Sequence, residues 1–176
     1  MNRIADALDR AKRALTENPQ AGRSADRPAT AVVEGGLRCR VEGSDDWRVA
    51  TDMPPALGGE GSAPTPGWVL RAAWAACGAT TIALRAAELG IPLERIEVTA
   101  ESETDPRGLL GVGEDVPAGP LSARGRVRIV AAGVDPERLR ELVEWAERHS
   151  PVGDALRRPI AAAVEVDVVG TDAPGA

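Results

Sequence analysis

A long, nearly uncharged stretch in the middle of the chain, PTPGWVLRAAWAACGATTIALRAAEL, constrains the fold more than any other feature of the sequence. It contains no charged residue between Arg71 and Arg85. Thr65 can cap a helix, Pro66 suits the first helical turn and Gly90 provides a stop, so the stretch predicts one helix. Because the uncharged run is well short of the roughly 20 residues that a membrane span needs, we expect this helix to lie in a protein core.

The predicted helix is apolar on nearly every face. Small apolar residues recur at helical spacing along one side, and the other sides carry Leu70, Trp74, Cys77, Ile82 and Leu84. This pattern predicts burial nearly all round. The only aromatic residues among the 176 are four tryptophans, Trp47, Trp68, Trp74 and Trp145. We therefore expect closely packed backbones to take the place of bulky side chains in the core.

Charge and composition exclude several classes of function. A net charge of -6 repels phosphate backbones and anionic lipids, so we expect neither a nucleic-acid partner nor a membrane partner. The first residues, MNRIADALDRAKRAL, lack an apolar core of signal-peptide length, so we expect a cytoplasmic protein. Cys39, Cys77 and a single histidine form no recognisable metal site, and the glycine-rich loops lack the spacing of a phosphate cradle. We therefore expect neither a metal nor another cofactor.

The periodicity along the chain predicts an α+β arrangement in about one domain. The predicted elements are an amphipathic helix up to Pro19, strands at 31–33, 37–41 and 47–51, the central helix, strands at 93–101 and 121–131, helices at 136–149 and 151–156, and a closing strand at 161–169. Residues 102–120 are rich in glycine and proline and predict a long mobile connection. We expect residues 1–30 to form an N-terminal helix and arm, 31–170 the folded domain, and 171–176 a frayed tail.

Three short motifs stand in a definite order and spacing along the chain. They are Leu57-Gly58-Gly59, the segment PGWVLRAAWAAC that ends at Cys77, and the later AERHSPVGDAL. Together they resemble the OsmC-like proteins, which include the organic hydroperoxide resistance proteins, over roughly residues 31 to 169. The resemblance implies an intertwined homodimer, in which two small antiparallel sheets wrap around long central helices. Such an assembly would account for a helix that is apolar on every side.

The same resemblance implies a peroxidase site with two departures from the family pattern. Cys77 stands where the family has the cysteine that attacks the peroxide. Ser150 stands at the position of the resolving cysteine, and Gly67 stands where a glutamate follows the helix-opening proline. A serine cannot form a disulfide, so resolution within the usual pair is absent and an external thiol reductant is implied if the protein is catalytic.

A cysteine about three turns inside a helix needs a nearby cation if it is to ionise, because the field of the helix N-terminus fades within the first turn. The family supplies an arginine from an early strand. Leu37 aligns nearest to it, so Arg38 and Arg40 are both candidates. Cys39 lies between them and is a hypothetical resolving thiol, also across subunits. The simpler interpretation is that Cys39 is an inward-facing strand residue.

Three hypotheses of different classes remain. The first is a divergent thiol peroxidase that reduces organic hydroperoxides with Cys77. The second is a non-catalytic dimer of the same fold that binds a small apolar ligand beside Cys77, in a pocket lined by Trp68 and Trp74. The third, ranked last, is a hydrolase in which His149 activates Ser150, although neighbouring residues rarely face each other in the way that a nucleophile and its base require.

Overall fold

The structure, a computed structural model, describes residues 3–170 as an α+β fold. Its helices are α1 Arg3–Glu17, α2 Pro66–Glu88, α3 Pro106–Leu110, α4 Pro136–Arg148 and α5 Pro151–Arg157. Its strands are β1 Thr30–Gly35, β2 Arg38–Glu42, β3 Arg48–Thr51, β4 Arg95–Glu103 and β5 Ser122–Val130. Antiparallel pairing gives one sheet in the order β1-β2-β3 and a second of β4 and β5. The predicted fold class is confirmed.

The central helix α2 forms for the reasons visible in its sequence. The Thr65 side chain accepts a hydrogen bond from Trp68 N at 3.2 Å, which satisfies one of the free amides of the first turn. Pro66 occupies the first helical position, where its missing amide hydrogen costs nothing. After the last turn Gly90 adopts a φ of +66°, a left-handed conformation that glycine accepts without strain. The predicted helix is confirmed at both ends.

The apolar core lies where α2 and α4 pack on the sheet of β4 and β5. Its buried residues are Ile82, Ala86, Ile91, Leu142 and Ala146. The alternation predicted for β4 is also present, with Ile96 and Val98 packed against this core. Full burial of a side chain such as Ile82 or Leu142 stabilises the fold by about 1.5–3 kcal/mol. This half of the molecule therefore has a stabilising apolar core within the single chain.

The three-stranded sheet has one apolar face and one charged face. Val33 pairs with Cys39, and Cys39 pairs with Thr51, so the three side chains share a face. We call this surface the open face; it consists of Ala31, Val33, Cys39, Val41, Val49 and Thr51. Val33 is 63% exposed on it. The opposite face carries Arg40 and its neighbours Val32 and Ala50, as the alternation around Cys39 predicts.

The expectation that α2 is buried on nearly all sides is wrong for the single chain. Its buried residues are Gly78, Thr81, Ile82 and Ala86, which lie in the second half of the helix. Trp68 is 52% exposed, and Leu70 and Leu84 are exposed as well. The elements that pack extensively on α2 are α1, β4, α4 and α5, and they leave the rest of its surface open.

Two predictions about loops and strands are corrected. Residues 161–169 form no strand, and Val164 is 88% exposed. The alternation of this segment suits a strand, but a strand also needs a partner edge, and nothing within residues 3–170 pairs with it. Residues 102–120 are not a plain loop, because β4 continues to Glu103 and Asp105 caps the short helix α3. The predicted tail at 171–176 lies outside the described residues.

Candidate active site

The site begins with a direct contact between Cys77 and Ser150. The Ser150 hydroxyl donates to the Cys77 sulfur, with 3.2 Å between Oγ and Sγ. Ser150 is 0% exposed, and its oxygen also accepts a hydrogen bond from Gly153 N at 3.2 Å, so it caps α5. Ser150, which the resemblance predicts to stand at the resolving position, thus lies in direct contact with the Cys77 sulfur.

The turn between α4 and α5 separates Ser150 from its neighbour His149. The His149 ring stacks on Trp145, with 3.9 Å between centroids and 10° between planes. His149 Nδ1 lies 2.7 Å from the Trp145 carbonyl oxygen, a distance at which the ring nitrogen donates a hydrogen bond. The histidine therefore ends α4, while the serine points inward to Cys77. This arrangement gives no support to a serine activated by His149.

A charged pair that sequence reasoning missed borders the contact between Cys77 and Ser150. Glu147 Oε1 lies 3.6 Å from the place that a Cβ on Gly78 would take, one residue beyond Cys77. Arg157 Nη1 lies 3.7 Å from Glu147 Oε2 and 3.1 Å from the corresponding Cβ position on Gly153. Arg157 also donates to the Glu147 carbonyl oxygen at 2.6 Å. The signal in the sequence was the spacing of Gly153 and Arg157, one turn apart on α5.

The two candidate arginines of β2 have different surroundings. Arg40 lies between two carboxylates, with Nε 2.6 Å from Glu34 Oε1 and a second ion pair to Glu42. Hydrogen bonds to Glu42 and then to Glu34 raise the pKa of Arg40. Arg38 instead donates from Nη1 to the Ser62 hydroxyl at 2.6 Å, and within residues 3–170 it forms no ion pair. Sequence left the choice between the two arginines open, and the structure distinguishes them by their partners.

The Ser62 hydroxyl connects Arg38 to a buried carboxylate. Asp52 is 1% exposed and accepts hydrogen bonds from Met53 N at 2.7 Å, Ser62 N at 2.9 Å and Ser62 Oγ at 2.9 Å. The bond from the Ser62 amide is the largest of several that lower the pKa of Asp52, and burial opposes them. Sequence reasoning missed both residues, because a segment rich in glycine and proline carries no periodicity.

A cavity of about 440 Å³ lies between the β1–β2 turn and this loop. Its lining includes Leu37, Arg38, Asp52, Gly58, Gly59 and Glu60. Gly59 has to be glycine, because a Cβ there would lie 1.9 Å from the Met53 carbonyl oxygen. The Leu57-Gly58-Gly59 motif thus brings the backbone close to the buried Asp52.

No hydrogen bond, ion pair or disulfide within residues 3–170 joins Cys77 to the remaining predicted residues. Cys39 lies on the open face, and both cysteines are free thiols. The elements that pack most on α2 are α1, β4, α4 and α5 rather than the strands of the first sheet. A role for Cys39 in resolution stays a prediction.

The cavity that Trp74 lines is not the predicted ligand pocket beside Cys77, because Cys77 is not among its lining residues. Trp74 packs over Gly125, 3.3 Å from the position of its missing Cβ, and lines a cavity of about 290 Å³ with Val98, Ala100, Val127, Val143 and Glu147. Trp68 does not take part. Among residues 3–170 no group of histidine, cysteine and carboxylate side chains is arranged to hold a metal ion. In the same range, no helix combines the length and the apolar character that crossing a membrane requires.

Comparison with protein families gives one match, to the family described as OsmC-like protein, over residues 59–165. The matched segment contains the Gly59 turn, Cys77 and Ser150. A comparison with curated proteins found no match.

Solved structures share the fold over most of the chain. A crystal structure of an organic hydroperoxide resistance protein OsmC from Legionella pneumophila is 26% identical, with a TM-score of 0.57, and covers 77% of this chain and 91% of its own. An OsmC-like protein from Mycoplasma pneumoniae is 15% identical, with a TM-score of 0.65, covering 77% and 89%. An organic hydroperoxide resistance protein from Elizabethkingia anophelis with bound thiocyanate is 22% identical, with a TM-score of 0.58, covering 78% and 91%.

Proposed function

The chain belongs to the OsmC-like family, and on that premise we propose that it is a thiol-dependent organic hydroperoxide reductase in which Cys77 attacks the peroxide and an external thiol completes the cycle. The Legionella pneumophila protein, at 26% identity, is an organic hydroperoxide resistance protein and supports the choice of substrate class. The observation that carries the proposal is the 3.2 Å contact between Ser150 Oγ and Cys77 Sγ, at the two positions where the family has its cysteine pair.

The first half-reaction needs only Cys77 and a proton donor. The Cys77 thiolate attacks the terminal oxygen of the hydroperoxide, the sulfur–oxygen bond forms, and the oxygen–oxygen bond breaks. The leaving alkoxide takes up a proton and departs as the alcohol, and Cys77 is left as a sulfenic acid. The Ser150 hydroxyl, 3.2 Å away, is a hydrogen-bond donor to the attacking sulfur.

The second half-reaction cannot use Ser150, since a hydroxyl forms no disulfide. An external thiol attacks the sulfenic sulfur and displaces water, which leaves a mixed disulfide on Cys77. A second thiol then attacks this disulfide and releases Cys77 as a thiol. We place the reaction in the cytoplasm, where thiols are kept reduced and such a reductant is abundant.

We also propose that the working form is a homodimer, whose second copy covers the surfaces that one chain leaves open. The open face exposes Val33 and Val49, and the segment 161–169 presents alternating valines with no strand partner in the described chain. Exposed apolar surface and unpaired strand edges of this kind favour association. Arg38 lies on the charged face, at the β1–β2 end of the same sheet. We propose that in the dimer this end of the sheet reaches the other copy, where Arg38 is the cation that the Cys77 thiolate requires.

Substitution of the attacking cysteine tests the proposal. Wild-type protein should consume an organic hydroperoxide in the presence of a thiol reductant, and Cys77→Ser should reduce the rate to background, because its hydroxyl is a far weaker nucleophile than a thiolate. Cys39→Ser is the matched control and should retain the rate if the external thiol does the resolving. Unchanged consumption in Cys77→Ser would overturn the proposal.

The contact at Ser150 allows a sharper test of the resolving step. In Ser150→Cys the introduced thiol lies where the hydroxyl touches Cys77, so one equivalent of hydroperoxide should give an intramolecular disulfide visible by non-reducing mass spectrometry. The wild type should instead give a sulfenic acid that reacts with added thiol. A Cys39–Cys77 disulfide in the wild type would show that Cys39 resolves after all.

A second candidate function is binding of a small apolar ligand by a non-catalytic dimer. The observation in its favour is the largely apolar cavity of about 290 Å³ beside Trp74. A ligand retained through purification and lost in Trp74→Ala, in a protein that consumes no hydroperoxide, would favour this function over the first.

A further inference from the structure

Hydrogen bonds connect Arg38 through the Ser62 hydroxyl to Asp52, and each of them donates toward the carboxylate. We call these three residues the relay. A serine hydroxyl has a single proton, and the Ser62 hydroxyl donates it to Asp52 Oδ2 at 2.9 Å. The Ser62 oxygen is therefore left to accept from Arg38 Nη1 at 2.6 Å. The backbone amides of Met53 and Ser62 also donate to the carboxylate, and they fix its orientation. The Asp52 carboxylate thus fixes the orientation of the Ser62 hydroxyl, and the hydroxyl oxygen fixes the position of the Arg38 guanidinium.

This arrangement holds a guanidinium without neutralising it. Arg40, on the same strand, is in contact with the carboxylates of Glu34 and Glu42, which cancel most of its field. Arg38 is held by a neutral oxygen, and the Asp52 carboxylate lies one hydrogen bond further away. Glu34 and Glu60 line the same cavity, but within residues 3–170 neither forms an ion pair with Arg38. Because the energy between charges falls with distance, Arg38 retains more of its positive potential for another anion.

The loop that carries the relay is itself tightly held. Asp52 N donates to the Pro64 carbonyl oxygen at 3.2 Å, and Gly61 N donates to the Met53 carbonyl oxygen at 3.0 Å. These bonds close the loop on both sides of Gly59, whose missing side chain allows the close approach. Ser62 is therefore positioned before any ligand arrives, and the ordering of a long arginine side chain does not have to accompany the reaction.

We propose that Asp52 and Ser62 are positioning residues that hold the Arg38 guanidinium at the cavity between the β1–β2 turn and the 52–62 loop, where it stabilises the Cys77 thiolate of a second copy of the chain. The inference rests on the proposed thiol chemistry and dimer. Arg38 lines this cavity of about 440 Å³, and Cys77 of the same chain does not. The guanidinium held by Ser62 and Asp52 and the thiol of α2 are then two halves of one site.

The test measures the ionisation of Cys77 directly, on a Cys39→Ser background in which Cys77 is the only thiol. The rate of alkylation by iodoacetamide is followed from pH 5 to pH 10, since only the thiolate reacts. Ser62→Ala should shift the Cys77 profile to higher pH and slow alkylation on its acidic side by about tenfold, a change of about one pH unit. Ser62→Thr retains the hydroxyl and should restore the parent profile.

Arg40→Gln is the matched control, because it removes a cation from the same strand but one that is already paired. It should leave the profile in place. The relay is overturned if Ser62→Ala titrates like the parent, or if Arg40→Gln shifts the profile as far as Ser62→Ala does. Glu147, which lies near Gly78, and Arg157, which lies near Gly153, are unchanged in every variant. Circular dichroism and sedimentation establish that each variant is folded and has the parent's oligomeric state.

Alkylation does not depend on peroxide turnover, so the two proposals can fail separately. If the protein reduces hydroperoxides but Ser62→Ala has the parent profile and the parent kcat/KM, the relay is wrong and the reductase stands. If no hydroperoxide is consumed and the Ser62→Ala shift is present, the relay stands and the activity is wrong. A parent thiol that titrates as a free cysteine in all variants overturns the relay.

Discussion

The half of the molecule built around α2, α4, β4 and β5 contains every buried apolar residue of the described chain, whereas the sheet of β1, β2 and β3 contains none. The buried residues at the end of the first sheet are instead polar, namely Thr51 and Asp52. Backbone pairing and a hydrogen-bonded loop hold that sheet, and within residues 3–170 Val33 and Val49 on its open face stay exposed. One region has its own apolar core, and we propose that a second copy of the chain covers the other.

The chemistry is divided in the same way. Cys77 and Ser150 lie in the packed half, and the guanidinium that is free of carboxylates, Arg38, lies on the uncovered sheet. In the proposed dimer, the Cys77 thiolate of one copy meets the Arg38 guanidinium of the other. Activity should consequently fall when the protein is diluted below the concentration at which the dimer dissociates.

The largest expected effect comes from the packed half. Ile82→Ala removes a fully buried side chain between α2 and its neighbours and should destabilise the fold by about 2–5 kcal/mol, measured by urea unfolding at fixed protein concentration. Leu109→Ala, in the exposed helix α3, is the control and should cost far less. Comparable losses in both variants would mean that the core is not where the structure places it.

The next effect tests whether a second copy covers the open face. Val33→Asp places a charge on that face and should weaken dimerisation by tenfold or more, equivalent to about 1.4 kcal/mol, because burying a carboxylate without a partner is costly. Sedimentation velocity over a concentration series measures the dissociation constant.

Val32→Asp is a control of the same chemistry one residue away. Val32 is also exposed, but it lies on the opposite face of β1, so the propensity cost of aspartate in a strand is the same while the burial cost is absent. Equal weakening by both substitutions, or a wild type that sediments as a monomer at every concentration, would contradict a dimer formed through the open face.

Features encoded locally could be predicted from the sequence. Thr65 and Pro66 start α2, Ser150 and Pro151 start α5, and the alternation of β4 places Ile96 toward the core. Each of these depends on residues within one or two turns. The three early strands likewise follow from period two and turn composition.

Features that depend on distant partners could not be predicted. The period of 161–169 indicated a strand, but no property of that segment reveals whether an edge is available to it. Arg38 and Arg40 have the same spacing from Cys39, and only the folded 52–62 loop shows that one of them meets a hydroxyl. The exposure of α2 is a further case, because an apolar helix does not reveal whether its own chain or a second copy covers it.

Ser150→Ala should have an effect of intermediate size in the packed half. The substitution removes the cap of α5 and should destabilise the protein by about 1 kcal/mol, within the range of helix-capping residues. It also removes the donor to Cys77, so the thiol should titrate at higher pH than in the wild type. Asp105→Ala removes the cap of the exposed helix α3 and should change stability without moving the thiol titration. If the thiol titration moved equally in both variants, Ser150 would have no specific effect on the ionisation of Cys77.

The smallest effect concerns α1, which packs on α2 next to the complete core. Lys12 and Arg85 donate to Glu88, and they hold the pKa of that carboxyl below its usual value, Lys12 contributing most. A depressed pKa stabilises the folded state above the usual pKa of a glutamate, and this stabilisation is lost as the pH falls through the lower, folded value.

Acid should therefore release α1 before the rest of the molecule unfolds, with a contribution below about 1 kcal/mol because Lys12 is half exposed. Hydrogen exchange of the α1 amides between pH 7 and pH 3 measures the release. Lys12→Gln should weaken the protection at neutral pH and flatten its pH dependence, while Arg13→Gln, another exposed cation of the same helix, should leave both in place. If α1 stays protected to the same pH at which the Ile82 core unfolds, the helix is part of that core rather than an attachment to it.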